Sequence, residues 1–276
     1  MHISTSLRNI FLGLLSLGFL TSCGQDTTRT SDLDVISGWK VDRTVEERPT
    51  FESTVAVTTR SLLQQGKPFC SGTLIRPQVV MTAAHCLVDD SGKLSRKASE
   101  ILVAFDLVLS SGSTTRSVRR VSAHPYYDAK NAGAAEPTGP AHDVGLLFLS
   151  SNAPSSHKPI SIYKGQLSTS DAVWVAGFGS SATLFGDGSG TLRAASLDIS
   201  NINSSLRRIE TSNLFRGSCS GDSGGPLYLR KGGRWYVTGV VSAGSLFGPV
   251  CSGQGSYLDA RGYFNSWIKD QLRAYQ

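Results

Sequence analysis

Residues 221–226 read Gly-Asp-Ser-Gly-Gly-Pro, a serine enclosed by glycines. Glycines let a chain turn tightly, and a serine in such a turn can act as a nucleophile if a base and backbone N–H donors are near. A G-x-S-x-G stretch also occurs at the strand-to-helix elbow of α/β-hydrolases, where the histidine follows the serine. Here every histidine precedes Ser223; they are His2, His85, His124, His142 and His157. The α/β-hydrolase interpretation is therefore excluded, and a Gly-rich turn without function is the remaining alternative.

A second stretch, residues 81–86, reads Met-Thr-Ala-Ala-His-Cys and makes that alternative weak. Together the two stretches resemble the trypsin/chymotrypsin-like serine proteases, whose triad order is His, Asp, Ser. Five further pieces follow in the family's order: 70–75 (CSGTLI), 123–127 (AHPYY), 142–147 (HDVGLL), 176–179 (AGFG) and 241–244 (VSAG). The resemblance covers Val35 to about Lys269 and implies an all-β fold, with two six-stranded antiparallel barrels of the chymotrypsin type and a C-terminal α-helix.

The resemblance also implies a role for each matching residue. Ser223 would be the nucleophile, His85 the general base and then the general acid, and Asp143 the carboxylate that orients the imidazole. The backbone N–H groups of Gly221 and Ser223 would form the oxyanion hole, and Ser242 would hydrogen-bond Asp143. We interpret His124 as structural and place His142 on the surface, because neighbours on a strand point to opposite faces.

The specificity pocket is read from the same family positions. Gly217 stands where trypsin has an acid, and Ser218 follows it. The walls match Gly244 and Gly255, although the loop before Gly255 differs in length from the family's. These residues predict a roomy, uncharged slot that does not favour Lys or Arg and would take a large apolar or aromatic side chain.

The chain has five cysteines, and in an exported protein an odd number indicates that one thiol has a different role from the others. Leu20-Thr21-Ser22-Cys23 follows a short apolar stretch and resembles the bacterial lipobox, which implies lipidation of Cys23. The remaining four allow three connectivities. The family pattern pairs Cys70 with Cys86 and Cys219 with Cys251. Such bridges indicate an oxidising, extracytoplasmic location.

The N-terminal region predicts export and processing. Residues 1–22 combine a basic start with an apolar stretch shorter than the ~20 residues that span a bilayer, which is typical of a secretory signal. Residues 23–34 read as a lipid-anchored tether or propeptide. The family is activated by cleavage that exposes a new amine, and Val35 is the best match here. Its amine would pair with Asp222, and cleavage after Asp34 would release the enzyme from its anchor.

The rest of the chain, 35–276, reads as one protease domain divided near 151–170. Short apolar runs bounded by Gly, Ser or Pro predict strands at 54–58, 101–109, 144–149, 172–176, 226–229 and 235–242. Lys231-Gly232-Gly233 indicates a hairpin. Residues 128–142 lack periodicity and predict a surface loop, whereas 262–275 carry apolar residues at helical spacing.

These patterns predict an exported serine endopeptidase, made as a lipid-tethered zymogen, that acts on proteins or peptides. The formal net charge of +6 is scattered, so nucleic-acid binding receives no support. No pair of histidines has metal-ligand spacing, and we expect no metal, no cofactor, no membrane contact beyond the Cys23 lipid, and a monomer. The alternative is a catalytically silent homologue acting as a binding module; loss of His85, Asp143 or Ser223 would mark it, and all three are present.

Overall fold

The structure is a computed structural model and describes residues 39–41, 48–132, 134, 136–181, 188–213, 216–247 and 250–275. At 39, 245–247, 250–252 and 264–265 it describes the backbone alone. The predicted signal peptide, Cys23, the tether and Val35 lie outside the described residues.

Strands dominate the described part of the chain. They are β1 (Trp39–Lys40), β2 (Thr54–Thr59), β3 (Cys70–Arg76), β4 (Val79–Thr82), β5 (Ile101–Ala104), β6 (Thr115–Ala123), β7 (Gly145–Leu149), β8 (Ala172–Gly177), β9 (Arg193–Asn203), β10 (Arg208–Ser212), β11 (Pro226–Lys231), β12 (Arg234–Phe247) and β13 (Val250–Asp259). The helical elements are α1 (Arg48–Ser53), α2 (Arg60–Gln64), a 3₁₀ turn (Ala98–Glu100), α3 (Arg261–Tyr263), a π-helical turn (Phe264–Ile268) and α4 (Lys269–Arg273).

The first barrel is closed by six antiparallel strands in the order β2-β3-β4-β7-β6-β5. Every residue of β4 and β7 is buried, as expected for short apolar strands in the middle of a closed sheet. Gly145 is the first residue of β7, and a Cβ there would lie 2.4 Å from Leu87 Cδ1, so a larger residue would displace Leu87. The predicted strand 101–109 ends early, at Ala104, because the Asp106 carboxylate accepts a hydrogen bond from Thr114 N and begins a turn.

The second barrel is closed by β8-β9-β10-β13-β12-β11, with β11 pairing back to β8 and β1 added outside on β9. The predicted hairpin is β11–β12, where Lys231 pairs with Arg234 across Gly232 and Gly233. Both glycines have positive φ, +58° and +74°, as a two-residue type I′ turn requires. The separate core of this barrel consists of apolar side chains from its strands, among them Val173, Leu197, Ile209, Leu227 and Val241.

Contacts of Tyr228 tie the two barrels together. Tyr228 lies on β11 and is fully buried, and its hydroxyl is 2.8 Å from both Ser53 Oγ and Thr54 Oγ1 at the start of β2. Burial raises the pKa of this phenol, so it stays protonated and can hydrogen-bond both hydroxyls.

The C-terminal segment is helical as predicted, but it is not one regular helix. Ser266 departs from helical geometry (φ −123°, ψ −107°) inside the π-helical turn. Its hydroxyl lies 3.4 Å from Gly262 O, and such back-bonding bends helices. Ile268 is buried, and Trp267 and Leu272 pack against the core. No helix in the described ranges is of a length and apolarity that would cross a membrane.

Candidate active site

The ends of two paired strands bring His85 and Asp143 together. β4 and β7 are antiparallel with Thr82 opposite Gly145, so the chain just after β4 meets the chain just before β7. His85 Nδ1 lies 2.8 Å from Asp143 Oδ2, and the His85 backbone N–H donates to Asp143 Oδ1 at 3.0 Å. The carboxylate therefore fixes both the backbone and the ring of His85.

The Asp143 carboxylate is fully buried and has a third donor, the Ser242 hydroxyl, at 2.6 Å from Oδ2. Ser242 comes from β12, so this bond joins the second barrel to the first. Burial alone would lower the pKa of His85, but the charge of Asp143 and its hydrogen bond outweigh burial, and the pKa is raised above 6.5. The side chain of His85 stays 28% exposed, which leaves its outer edge open to a substrate.

Ser223 lies in a tight turn of the second barrel that is packed against the first. Gly221 and Gly224 have φ of +94° and +80°, which favours glycine. A Cβ on Gly224 would lie 2.0 Å from Thr82 Oγ1, so the turn could not approach β4 this closely with any other residue. The Ser223 carbonyl accepts a hydrogen bond from Ser71 N at 2.8 Å.

This packing places the serine beside the histidine segment. Cys86, next to His85, has its sulfur 3.7 Å from the Ser223 carbonyl oxygen. Within the described residues, no group hydrogen-bonds the Ser223 hydroxyl, and the backbone N–H groups of Gly221 and Ser223 donate to none. These two backbone N–H groups and the hydroxyl are thus without a hydrogen-bond partner among the described residues.

Asp222, directly before Ser223, is fully buried. Its carboxylate accepts hydrogen bonds from Gly179 N and Cys219 N, both at 2.8 Å. Burial raises its pKa to about 6, against these two bonds and the charge of Arg193, which lower it. The fold therefore holds a carboxylate that a further cation would stabilise.

Three of the predicted pocket residues, Ser218, Gly244 and Gly255, occupy neighbouring positions. Gly244 and Gly255 face each other on β12 and β13, and a Cβ on Gly244 would lie 3.2 Å from Ser218 O. Sequence reasoning missed Thr211, which pairs with Gly255 from β10, and Tyr257, whose hydroxyl covers Gly255. Tyr257 lies two residues beyond Gly255 on one strand and so shares its face, a signal that was available in the sequence. Thr211 could be placed only with the strand register.

One predicted disulfide is confirmed: Cys70 and Cys86 are bonded, with their Cα atoms 6.2 Å apart. Cys219 is also disulfide-bonded, and the side chain of its predicted partner, Cys251, lies outside the described residues. In the described part of the chain the one grouping of potential metal ligands is Cys70, Cys86 and His85. Its sulfurs are joined to each other, so they are not free thiolates that could ligate a metal.

His142 is half-buried, and the strand-alternation argument that predicted a surface position for it is wrong. His142 is not on a strand; it has φ +50° and precedes β7 by three residues. Its ring stacks on His124 with centroids 4.7 Å apart, and its Nδ1 is 2.9 Å from the Tyr263 hydroxyl. The face-alternation argument failed because the chain turns at this residue.

Comparison with known proteins defines the class of protein to which this chain belongs. The family model described as Trypsin matches residues 41–268, so the chain belongs to the trypsin family and is a trypsin/chymotrypsin-like serine protease. It is similar to chymotrypsin-like elastase family member 1 of Homo sapiens, at 30% identity over 222 residues that cover 74% of this chain and 81% of the relative. The same protein of Macaca fascicularis is 31% identical, with 74% and 78% covered.

A solved structure of neuropsin, a serine protease of mouse brain, has the same fold. It superposes with a TM-score of 0.62 at 23% identity, over 85% of this chain and 98% of neuropsin. The predicted fold class, two six-stranded antiparallel barrels and a C-terminal helix, is confirmed.

Proposed function

We propose that the chain is a serine endopeptidase that cleaves peptide bonds through Ser223, His85 and Asp143. The observation that carries this proposal is the buried Asp143 carboxylate, 2.8 Å from His85 Nδ1, beside a serine whose hydroxyl is unengaged among the described residues. With the Nδ1 proton held by Asp143, the neutral ring keeps Nε2 free to accept a proton.

Ser223 Oγ attacks the substrate carbonyl carbon while its proton passes to His85 Nε2. The developing oxyanion accepts hydrogen bonds from Gly221 N and Ser223 N. The imidazolium, stabilised by Asp143, then protonates the leaving amine and leaves an acyl-enzyme that water hydrolyses by the same route in reverse.

Labelling with a fluorophosphonate probe tests the proposal, combined with peptide hydrolysis. We expect the probe to label the parent protein and not the Ser223→Ala variant. The control variant Ser151→Ala, which changes an exposed serine, should be labelled as strongly as the parent. Equal labelling of the Ser223→Ala variant, or no label on processed and folded parent protein, would favour the silent binding module instead.

We further propose that the protein is exported as a zymogen, with signal peptide 1–22, a tether from lipidated Cys23 to Asp34, and protease domain 35–276. Two observations support activation at Val35. Trp39, four positions after Val35, pairs with Ala194 on the second barrel. Asp222, in that barrel, is a buried carboxylate that a new amine could neutralise.

The Cys70–Cys86 disulfide supports an extracytoplasmic location. Fractionation with N-terminal sequencing tests the processing scheme. We expect membrane-bound precursor beginning at lipidated Cys23 and released active enzyme beginning at Val35. Active enzyme that still carries the lipidated Cys23 would overturn it.

A further inference from the structure

Ser71 is a buried side chain that holds the backbone of the turn carrying Ser223. It lies on β3 of the first barrel and is fully buried. Its hydroxyl donates a hydrogen bond to Gly221 O at 2.9 Å and accepts one from Phe178 N at 3.0 Å. One hydroxyl of the first barrel thus fixes two backbone segments that belong to the second.

The two backbone N–H groups proposed as the oxyanion hole are aimed by the carbonyl groups behind them. A trans peptide points its C=O and its N–H to opposite sides. Ser220 O accepts a hydrogen bond from Ser180 N at 2.8 Å, so Gly221 N–H points away from Ser180. Asp222 O accepts from a backbone N–H of the same turn, also at 2.8 Å, and this bond aims Ser223 N–H.

The Gly221–Asp222 peptide lies between these two peptides, so the torsions on either side of it set the angle between the two N–H groups. Those torsions are ψ of Gly221 and φ of Asp222. Gly221 has φ +94° and no Cβ, so its own conformational preference does little to fix them. The peptide is held instead by Ser71 Oγ on Gly221 O and, at its other end, by Asp222 N, which donates to Cys219 O at 3.0 Å.

Ser71 is the part of this arrangement that depends on a side chain. Among the described residues, the hydrogen bonds to the carbonyls of Ser220 and Asp222 come from backbone N–H groups, which every residue except proline supplies. The bond to the carbonyl of Gly221 comes from a hydroxyl, so one substitution can remove it. An alanine at position 71 would leave that carbonyl without its donor.

We infer that Ser71 is a positioning residue whose hydroxyl fixes the Gly221 peptide, so that the N–H groups of Gly221 and Ser223 stabilise the oxyanion together. It acts through Gly221 and does not touch the substrate. Ser71 N also donates to Ser223 O at 2.8 Å, and this backbone bond keeps the turn attached to β3 when the hydroxyl is lost. The inference rests on the proposed function and extends it to a residue outside the triad.

The kinetics of the Ser71→Ala variant test the inference. Loss of a whole oxyanion donor lowers kcat by about 10²–10³-fold, and a loosened pair of donors should cost less. We expect kcat of peptide hydrolysis to fall about tenfold, roughly the worth of one buried hydrogen bond, and KM to stay within about twofold of the parent value. Such a split marks an interaction made in the transition state. Ser71→Thr keeps the hydroxyl and should retain the parent kcat.

Thr58→Val is the matched control. Thr58 is also fully buried on a strand of the first barrel, and its Oγ1 donates to a backbone carbonyl, Lys67 O, at 2.7 Å. The substitution removes a comparable hydrogen bond that does not involve the Ser223 turn, so kcat should stay at the parent value. A folded Ser71→Ala variant with the parent kcat, or an equal fall in Thr58→Val, would overturn the inference.

A bound transition-state analogue separates positioning from a general loss of stability. A peptidyl trifluoromethyl ketone, built on the best-cleaved peptide, forms a hemiketal with Ser223, and ¹⁹F NMR follows the pKa of its hydroxyl. We expect Ser71→Ala to raise this pKa by about one, which corresponds to the tenfold loss in kcat. Thr58→Val should not change it. A smaller folded fraction would weaken the signal and leave the pKa where it is.

Amide spectra keep the inference separate from the catalytic proposal, because they need no substrate. In ¹H–¹⁵N spectra of the free protein, Ser71→Ala should shift the signals of Gly221 and Ser223, and Thr58→Val should not. Unchanged signals in Ser71→Ala would overturn the inference. Shifted signals in a protein that shows no Ser223-dependent fluorophosphonate label would support the clamp on Gly221 and contradict only the proposed function.

Discussion

Replacement of Asp143 by asparagine tests the proposed role of the carboxylate most directly. Asp143 accepts three hydrogen bonds, from His85 N, His85 Nδ1 and Ser242 Oγ. If the amide oxygen stays on His85 N, the NH₂ group takes the place of Oδ2 and faces His85 Nδ1. The ring must then accept there, its proton moves to Nε2, and Nε2 can no longer take the Ser223 proton.

A wrong tautomer at this position lowers kcat by about 10⁴-fold in the serine-protease template, which corresponds to about 5.5 kcal/mol at 1.36 kcal/mol per decade. We expect kcat/KM of the Asp143→Asn variant to fall by about this factor. The shape of the side chain is conserved and Ser242 Oγ can turn to accept, so circular dichroism should show an unchanged fold.

The control is Asp90→Asn, which makes the same chemical change at an exposed position. It should match the parent in both peptide hydrolysis and the rate of fluorophosphonate labelling. An Asp143→Asn variant that is folded and within tenfold of the parent would refute the tautomer argument, because Nε2 would then have accepted the proton without the carboxylate.

Three further predictions concern pH and stability. Because the pKa of His85 is raised above 6.5 and only the neutral ring accepts a proton, kcat/KM should rise with pH along a limb centred above 6.5; a centre below 6.5 would contradict the dominance of Asp143. Replacing Cys70 and Cys86 together by alanine should lower the free energy of unfolding in urea by about 3 kcal/mol, since the bridge spans 16 residues, and a loss under about 1 kcal/mol would be unexpected. Gly224→Ala should abolish fluorophosphonate labelling and lower the free energy of unfolding by more than about 3 kcal/mol. Gly232→Ala, which also has positive φ but lies in open space, should lower the free energy of unfolding by only about 1–2 kcal/mol. Equal losses would show that the packing of Gly224 against β4 is unimportant.

Local sequence signals were sufficient for much of the fold. The β11–β12 hairpin depends on two glycines that must both adopt positive φ, and the sequence shows them between two apolar runs. The Cys70–Cys86 bridge came from the family resemblance and is present. In these cases the information lies within a few residues or within a pattern that the whole family shares.

Other features depend on contacts between distant segments, and these were missed or wrong. Thr211 lies opposite Gly255 because of the register of β10 on β13, which no local pattern encodes. His142 was assigned to the surface by strand alternation, but its φ of +50° breaks the strand before β7 begins. The helix predicted over 262–275 is interrupted at Ser266, where a hydroxyl competes with the backbone pattern.

The site lies where the two barrels meet, and this location makes it depend on both. His85 and Asp143 come from the ends of paired strands of the first barrel, but the hydroxyl that completes the carboxylate's contacts comes from Ser242 of the second. The turn at Ser223 fits only because Gly224 lies against Thr82 of β4. The proposed triad needs groups from both barrels, so a change that separates the barrels should abolish fluorophosphonate labelling before it unfolds either one. Tyr228→Phe, which removes the hydroxyl contacts to Ser53 and Thr54, should weaken the contact between the barrels and slow fluorophosphonate labelling while circular dichroism stays unchanged; labelling at the parent rate would contradict this dependence.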